Sequence, residues 1–311
     1  MKGRVTRSTG SWNTVRTAKG KLIPCKVKGN FRMRGIRSTN PIAVGDWVEF
    51  EDVDEESGVI SKLYERDNFI MRKSINLSKR GQILASNIDQ VLVFVTLKNP
   101  VTTKGFVDRV LVSAESYHIT PVLVFNKADL LEEEDRENLS SWLNTYTEIG
   151  YQCIQTSVTE SVNIEEVKEV MKDKTTMLAG HSGTGKSSLI NAISPDLNLK
   201  VGAISDHHKQ GKHTTTFAEM FPLDFGGEII DTPGIRGFGV LDVPKSELSH
   251  YFVEMRELLP ECKFNNCQHL KEPGCAIKQA VVDGEIVESR FKSYLSMYDE
   301  DENETFRTVN Y

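Results

Sequence analysis

Apolar and polar positions alternate along residues 42–50 (IAVGDWVEF), which predicts a strand with one buried face. From residue 91 the rhythm changes. Short strand-like runs at 91–95, 121–125, 151–156 and 175–179 are separated by stretches whose apolar positions recur at helical spacing, near 104–117, 135–147 and 163–172. The runs at 91–95 and 121–125 are apolar throughout, as expected of parallel strands covered by helices on both faces, and the alternation of strands with helices predicts an α/β fold for the middle of the chain. Residues 188–193 open a further amphipathic helix, and Glu228-Ile229-Ile230 is a further strand. Toward the C-terminus, 249–259, 276–282 and 288–298 have helical patterns, followed by an acidic stretch at 299–304.

The loops after these strands carry the chemistry. The run at 175–179 leads into Gly180-His181-Ser182-Gly183-Thr184-Gly185-Lys186-Ser187, a GxxxxGKS phosphate loop in the required strand–loop–helix setting. The glycines let the backbone bend so that its N–H groups, with Ser188 after them, wrap nucleotide phosphates at a helix N-terminus. Lys186 is expected on the β- and γ-phosphates and Ser187 on Mg²⁺. Asn126-Lys127-Ala128-Asp129 (NKxD) ends the run 121–125, where a binding loop belongs. The Asp129 carboxylate can accept from guanine N1–H and the 2-amino group, Asn126 can bond the other ring edge, and the Lys127 stem can lie along the base. Adenine offers neither donor and would leave a carboxylate unpaired, a loss of about 1–3 kcal/mol or more. Ser157-Val158, after the strand at 151–156, matches the loop whose backbone N–H touches guanine O6. Asp231-Thr232-Pro233-Gly234 (DxxG) follows the strand at 228–230, 45 residues beyond Lys186, and fits a Mg²⁺ and γ-phosphate sensor in which Asp231 reaches the metal through water and the Gly234 N–H meets the phosphate.

An ordinary small GTPase runs P-loop, DxxG, NKxD. Here NKxD comes first, the P-loop second and DxxG last. Reading the strand list cyclically regenerates the usual order, with the cut between DxxG and the following strand and the old termini joined through residues 164–175. The chain is therefore a circularly permuted P-loop GTPase, and its DxxG switch runs directly into the C-terminal region.

Charge separates the two ends. Residues 1–40 hold eleven Lys/Arg and no acid, whereas the other 271 residues hold 27 basic and 44 acidic side chains, net −17. The cations Lys2, Arg4, Arg7, Arg16, Lys19, Lys21, Lys26, Lys28, Arg32, Arg34 and Arg37 are interleaved with Trp12, Phe31 and Met33. Short strands, Gly turns, positive charge and aromatics predict an OB-fold β-barrel over residues 1–70 that binds oligonucleotide. An organellar transit peptide and a merely solvated basic face are the competing readings. Near the other end, Cys262, Cys267, His269 and Cys275 are spaced C-x4-C-x-H-x5-C. Three thiolates and an imidazole can close a tetrahedral structural Zn²⁺ site; free cysteines are the alternative. Five cysteines do not form an even disulfide framework, so a reducing cytosol is expected, and no apolar stretch approaches the ~18 residues of a membrane span, so no membrane partner is expected; a monomer is the separate working expectation.

Taken together, the permuted NKAD, GHSGTGKSS and DTPG motifs, the VGDWV-containing basic barrel, GKHTTT at 211–216 and the Cys/His pattern with Glu272-Pro273-Gly274-Cys275 resemble the RsgA family (YjeQ, YloQ) of bacterial small-ribosomal-subunit-dependent GTPases. The resemblance covers nearly the whole chain. It implies three domains, an OB-fold at 1–70, a permuted GTPase domain at 71–240 and a helical zinc domain at 241–311. It further implies GTP, Mg²⁺ and one structural Zn²⁺ as ligands, and the small ribosomal subunit with its rRNA as partner. A GTP-dependent metallochaperone and an RNA-binding module with a regulatory nucleotide site are the other classes; the first needs an open metal position and the second damaged motifs.

One departure bears on mechanism. Ras-type enzymes place a water-orienting Gln after DxxG, but Ile235 stands here. Intrinsic hydrolysis is expected to be slow, with water placed by one of His207, His208 and His213; switch-loop residues without a catalytic part, or contacts to RNA phosphates, are the competing reading of these histidines. His213, the expected catalytic partner of Lys186, directly precedes Thr214-Thr215-Thr216, of which one hydroxyl, taken as that of Thr215, completes the Mg²⁺ shell. Gly183 stands where potassium-activated GTPases carry Asn, so that mode of activation is not expected.

Overall fold

The computed structural model describes residues 1–28, 41–53, 57–72, 82–197, 218–231 and 243–300. It divides into two compact units, one of residues 1–91, 164–178 and 186–235, the other of 92–163, 179–185 and 236–311.

The first unit opens with β1 (Lys2–Ser8), β2 (Asn13–Thr17), β3 (Leu22–Val27), β4 (Trp47–Asp52) and β5 (Gly58–Leu63). They pair in the order β1-β2-β3-β5-β4, and β4 returns to β1, closing a five-stranded barrel. Alternate side chains, among them Val5, Val15, Ile23, Cys25, Val48, Phe50 and Ile60, fill it. The strand expected at 42–50 begins only at Trp47. Gly45 has φ +93, a conformation other residues resist, and a Cβ there would lie 2.0 Å from the Ser86 carbonyl oxygen. Asp46 is fully buried beside it, accepting from the Ala43 amide at 2.8 Å and paired with Arg66 at 2.6 Å, so the segment turns before it extends. The hairpin β6 (Phe69–Arg72) and β7 (Gln82–Ser86) follows.

The chain passes between the units within β8 (Gln90–Val95), buried at all six positions. In the second unit α1 (Lys104–Ser116), β9 (Thr120–Phe125), α2 (Glu133–Ile149) and β10 (Gln152–Gln155) follow, with β9 and β10 parallel. The second of these helices starts earlier than expected because Glu132 and Asp135 form a capping box that recruits the acidic run into its first turn.

The first unit resumes with α3 (Ile164–Met171), β11 (Thr175–Ala179), α4 (Lys186–Ile193), β12 (Glu219–Pro222) and β13 (Glu228–Asp231). Strand β13 pairs parallel with β11 and antiparallel with β12, and β12 meets β1 at Arg7↔Glu219, so the sheet carrying β11 and β13 runs on into the barrel.

The second unit ends in a 3₁₀ segment, Lys245–Tyr251, then α5 (Val253–Arg256), α6 (Ala276–Asp283) and α7 (Glu288–Asp299). The single helix expected at 249–259 is broken at Phe252, which is extended and fully buried, edge-on to Tyr294 and 4.7 Å beneath the Arg290 guanidinium. Arg290, 1% exposed, bonds Asp108 of α1 at 2.7 Å and Glu254 at 2.6 Å, which fastens α7 to α1. No helix among the described residues is long and apolar enough to cross a membrane.

Candidate nucleotide and metal sites

Within the second unit the NKAD loop and the phosphate loop touch. Lys127 is left-handed at φ 63, which turns the chain out of β9 and into a single turn at Ala128–Leu130. Asn126 is nearly buried; its Nδ2 donates to the Thr184 carbonyl at 2.8 Å, and its Oδ1 accepts from the Thr156 hydroxyl at 3.0 Å. Gly185, at φ +91, leaves no room for a side chain: a Cβ would lie 2.2 Å from Asn126 Nδ2. The Asp129 carboxylate is aimed by Ser157, whose hydroxyl donates to Oδ1 at 2.6 Å, and the Ala128 amide donates to the Thr156 carbonyl at 3.1 Å. The Ser157 amide is itself engaged with the Val162 carbonyl at 3.3 Å, which makes Val158 the next N–H of that loop. The His181 ring packs at a tilt against Phe106 of α1, with ring centroids 4.0 Å apart, and the His181 carbonyl accepts from the Thr184 hydroxyl at 2.9 Å. Ser182 and Gly183 are exposed at the loop tip, and Gly180 has φ +143.

In the first unit Lys186 and Ser187 open α4, each 7% exposed, with Ser188 half-buried behind them. Burial pushes the Lys186 ammonium down to about 8, and Asp231 at the end of β13 opposes the shift. An ammonium held dry in this way gains most from an arriving polyphosphate, because the counter-charge relieves its desolvation. The expected residues His213, Thr215 and Gly234, together with His207, His208, Thr214, Thr216 and Ile235, lie outside the described residues.

The four residues expected at the metal converge. One ligand atom each of Cys262, Cys267, His269 and Cys275 lies within 4.8 Å of all the others, and all four residues are buried. His269 presents Nδ1, 3.4 Å from Cys275 Sγ and 3.7 Å from Cys262 Sγ; its Nε2 is buried with no partner among the described residues. Burial pushes the Cys275 thiol up to about 12, raises Cys267 and lowers His269, so a divalent cation is what would favour the thiolates. The donor set and its enclosure fit a four-coordinate metal.

Several contributors were not legible as short motifs. Glu272 holds the turn between the ligands, accepting from the amides of Gln268 (3.0 Å), Leu270 (2.8 Å) and Lys271 (3.0 Å). Phe106 and the hydroxyls of Thr156 and Ser157 order the nucleotide loops from positions that carry no pattern of their own. On the barrel, Trp12 and Trp47 are exposed, with Lys26 Nζ 4.5 Å from the Trp12 ring centroid and Lys2 Nζ 4.8 Å from that of Trp47. Phe31, Met33, Arg32, Arg34 and Arg37 lie outside the described residues.

Residues 63–241 match the family described as RsgA GTPase, and residues 2–60 match the RsgA N-terminal domain. Among curated proteins, the chain is 52% identical to the "Small ribosomal subunit biogenesis GTPase RsgA" of Christiangramia forsetii, covering 100% of this chain and 99% of that one. It is likewise 52% identical to the protein of that name from Flavobacterium johnsoniae, covering 100% and 96%. Among solved structures, YjeQ from Thermotoga maritima superposes with a TM-score of 0.77 at 36% identity, covering 96% of each chain. YloQ, described as a circularly permuted GTPase, superposes with 0.75 at 30% identity, covering 100% and 96%.

Proposed function

The chain belongs to the RsgA GTPase family, and from that premise we propose that it hydrolyses GTP on the small ribosomal subunit, coupling hydrolysis to the subunit's late maturation in the cytosol. The observation that carries the nucleotide half is the Asn126–Thr184 bond, which brings a guanine-reading loop and a phosphate loop together although the two positions are 58 residues apart along the chain. Asp129 takes the guanine N1–H and 2-amino group, Asn126 and Lys127 flank the base, and Ala128 with Ser157 shapes the wall toward O6. The loop from Gly180 to Ser188 wraps the phosphates, with Lys186 as the point charge on the β- and γ-phosphates. Ser187 and Thr215, with Asp231 through water, would hold Mg²⁺, which would neutralise charge on the triphosphate; the Gly234 amide would sense the γ-phosphate, and His213 would place the water.

For the ribosomal half, the printed names of the relatives and the cationic, tryptophan-bearing barrel support rRNA as partner. Three domains, with divisions near 70 and 240, are part of this reading; the matched family bounds, 2–60 and 63–241, agree with a division near 240 and put the first one nearer residue 60. Binding to purified small subunits, with and without a non-hydrolysable GTP analogue, tests the function. Binding is expected to be analogue-dependent, and a nucleotide-independent affinity would favour an RNA-binding module instead.

One structural Zn²⁺ at Cys262, Cys267, His269 and Cys275 completes the assignment. Four closed ligands leave no exchangeable position, which disfavours a metallochaperone. Because the three thiols belong to the core formed by Phe252, Met255, Ile277 and Tyr294, Cys267→Ser is expected to unfold the C-terminal helices while nucleotide binding survives. Purified protein is expected to carry one zinc per chain by elemental analysis, and its absence would refute the site.

A further inference from the structure

In the first unit one carboxylate is shared by two arginines. Glu228, the first residue of β13, is bound by Arg4 of β1 and Arg16 of β2, with side chains 10%, 12% and 19% exposed. The arginines are not equivalent. Arg4 is fixed independently, donating to the Asn87 carbonyl at 3.0 Å, the Thr175 hydroxyl at 2.9 Å and the Gly45 carbonyl at 3.4 Å. Arg16 has Glu228 as its ion-pair partner and is the more accessible. Burial and then the nearby Arg4 charge lower the Arg16 pKa, as expected where two cations share one anion.

The cluster borders a cavity of about 490 Å³, lined by Arg4, Arg16, Trp47 and Lys174 and by the acids Asp173 and Glu228. Gly20, also in its wall, lies in the β2–β3 turn, where Lys19 and Lys21 are exposed. Of the other nearby acids, Asp89 accepts from the Thr175 amide at 2.6 Å and Asp46 is paired with Arg66. The balance around the opening is cationic, and an aromatic ring stands in its wall. OB barrels commonly take oligonucleotides on strands 2 and 3 and at the β1–β2 and β4–β5 loops. This opening lies at the β2–β3 turn instead.

We propose that the cavity receives a backbone phosphate of ribosomal RNA, which takes Arg16 from Glu228 while Arg4 stays in place. The site rests on the small-subunit reading and adds to it a second RNA contact with a built-in consequence. Glu228 stands three residues before Asp231 on one strand, roughly 10 Å at ~3.3 Å per residue, so RNA binding changes the charge balance at the root of the DxxG strand. By reciprocity, whatever reorders Asp231 alters RNA affinity.

Two substitutions of opposite sign test it, measured as affinity for purified small subunits over a salt series. Arg16→Gln removes a phosphate contact; it is expected to weaken binding roughly threefold to tenfold and to reduce the salt slope by about one. Glu228→Gln removes the competitor, and it is expected to strengthen binding by a similar factor. A merely structural cluster would lose affinity in both, so weakened or unchanged binding by Glu228→Gln, with an unaltered melting temperature, overturns the proposal. If Glu228→Gln melts early, Arg16→Lys replaces it: a retained cation must keep the salt slope of wild type, and a slope equal to that of Arg16→Gln overturns the site. Saturable binding of inorganic phosphate that Arg16→Gln abolishes, with subunit affinity unchanged, marks a free-anion site and overturns the RNA assignment. Failure of wild type to bind subunits removes the small-subunit reading and this site together, whereas wild-type binding with indifferent variants removes the site alone.

Discussion

Asp129→Asn is expected to lose GTP and to gain xanthosine triphosphate. The Ser157 hydroxyl fixes Oδ1 of Asp129, and that acceptor survives as the amide oxygen of Asn, so the loop keeps its shape. What changes is the other half of the group: an NH₂ replaces a carboxylate oxygen and meets the guanine N1–H and 2-amino donors. Two charge-assisted bonds, at about 1.5–3 kcal/mol each, become a donor–donor clash, and GTP affinity is expected to fall by at least ~10²-fold. Xanthine carries a 2-oxo acceptor where guanine carries a donor, so it pairs with the new amide. Titrating both nucleotides into wild type and variant decides the assignment. Unchanged GTP affinity would end it.

The candidate site was legible where chemistry forces a pattern into contiguous residues. The phosphate loop needs glycines at φ values such as +91 at Gly185, where even a methyl group would strike Asn126, and it needs a lysine at the helix start, so its signature is local. The same holds for the Cys/His cluster, whose members fall within fourteen residues. The strands β8, β9 and β11 were legible because burial on both faces admits few polar residues. Less was visible where a tertiary partner decides. The alternation at 42–50 continues through Gly45 and Asp46, yet Arg66 and Ser86 draw the Asp46 carboxylate inward and a turn forms. Helical spacing at 249–259 gives no warning that Phe252 must reach under Arg290. Arg4 and Arg16 count as two more charges in a basic arm until Glu228, more than two hundred residues away, is found between them.

His213→Ala is expected to abolish stimulation of GTP hydrolysis by small subunits. Ile235 stands where Ras-type enzymes carry the water-orienting Gln, and its side chain has no hydrogen-bonding atom, so the free protein is expected to hydrolyse slowly. Lys186, buried at the start of α4 with the Asp231 charge opposing its desolvation, supplies the fixed electrostatics but no means of placing water. The missing group must then arrive with the partner. The DxxG segment leads in sequence straight to the Cys/His region, and the β12–β1 pairing ties its strand to the barrel, so RNA engaging either end is expected to act on this switch. RNA pressing residues 205–216 over the γ-phosphate would bring His213 to the attacking water, and a positioned acid–base group contributes ~10²–10⁴-fold. Single-turnover assays with and without subunits separate the possibilities. Wild type is expected to be stimulated within that range and the alanine variant hardly at all, both retaining the non-hydrolysable analogue. Equal stimulation of the two proteins would transfer the role to His207, His208 or a ribosomal group.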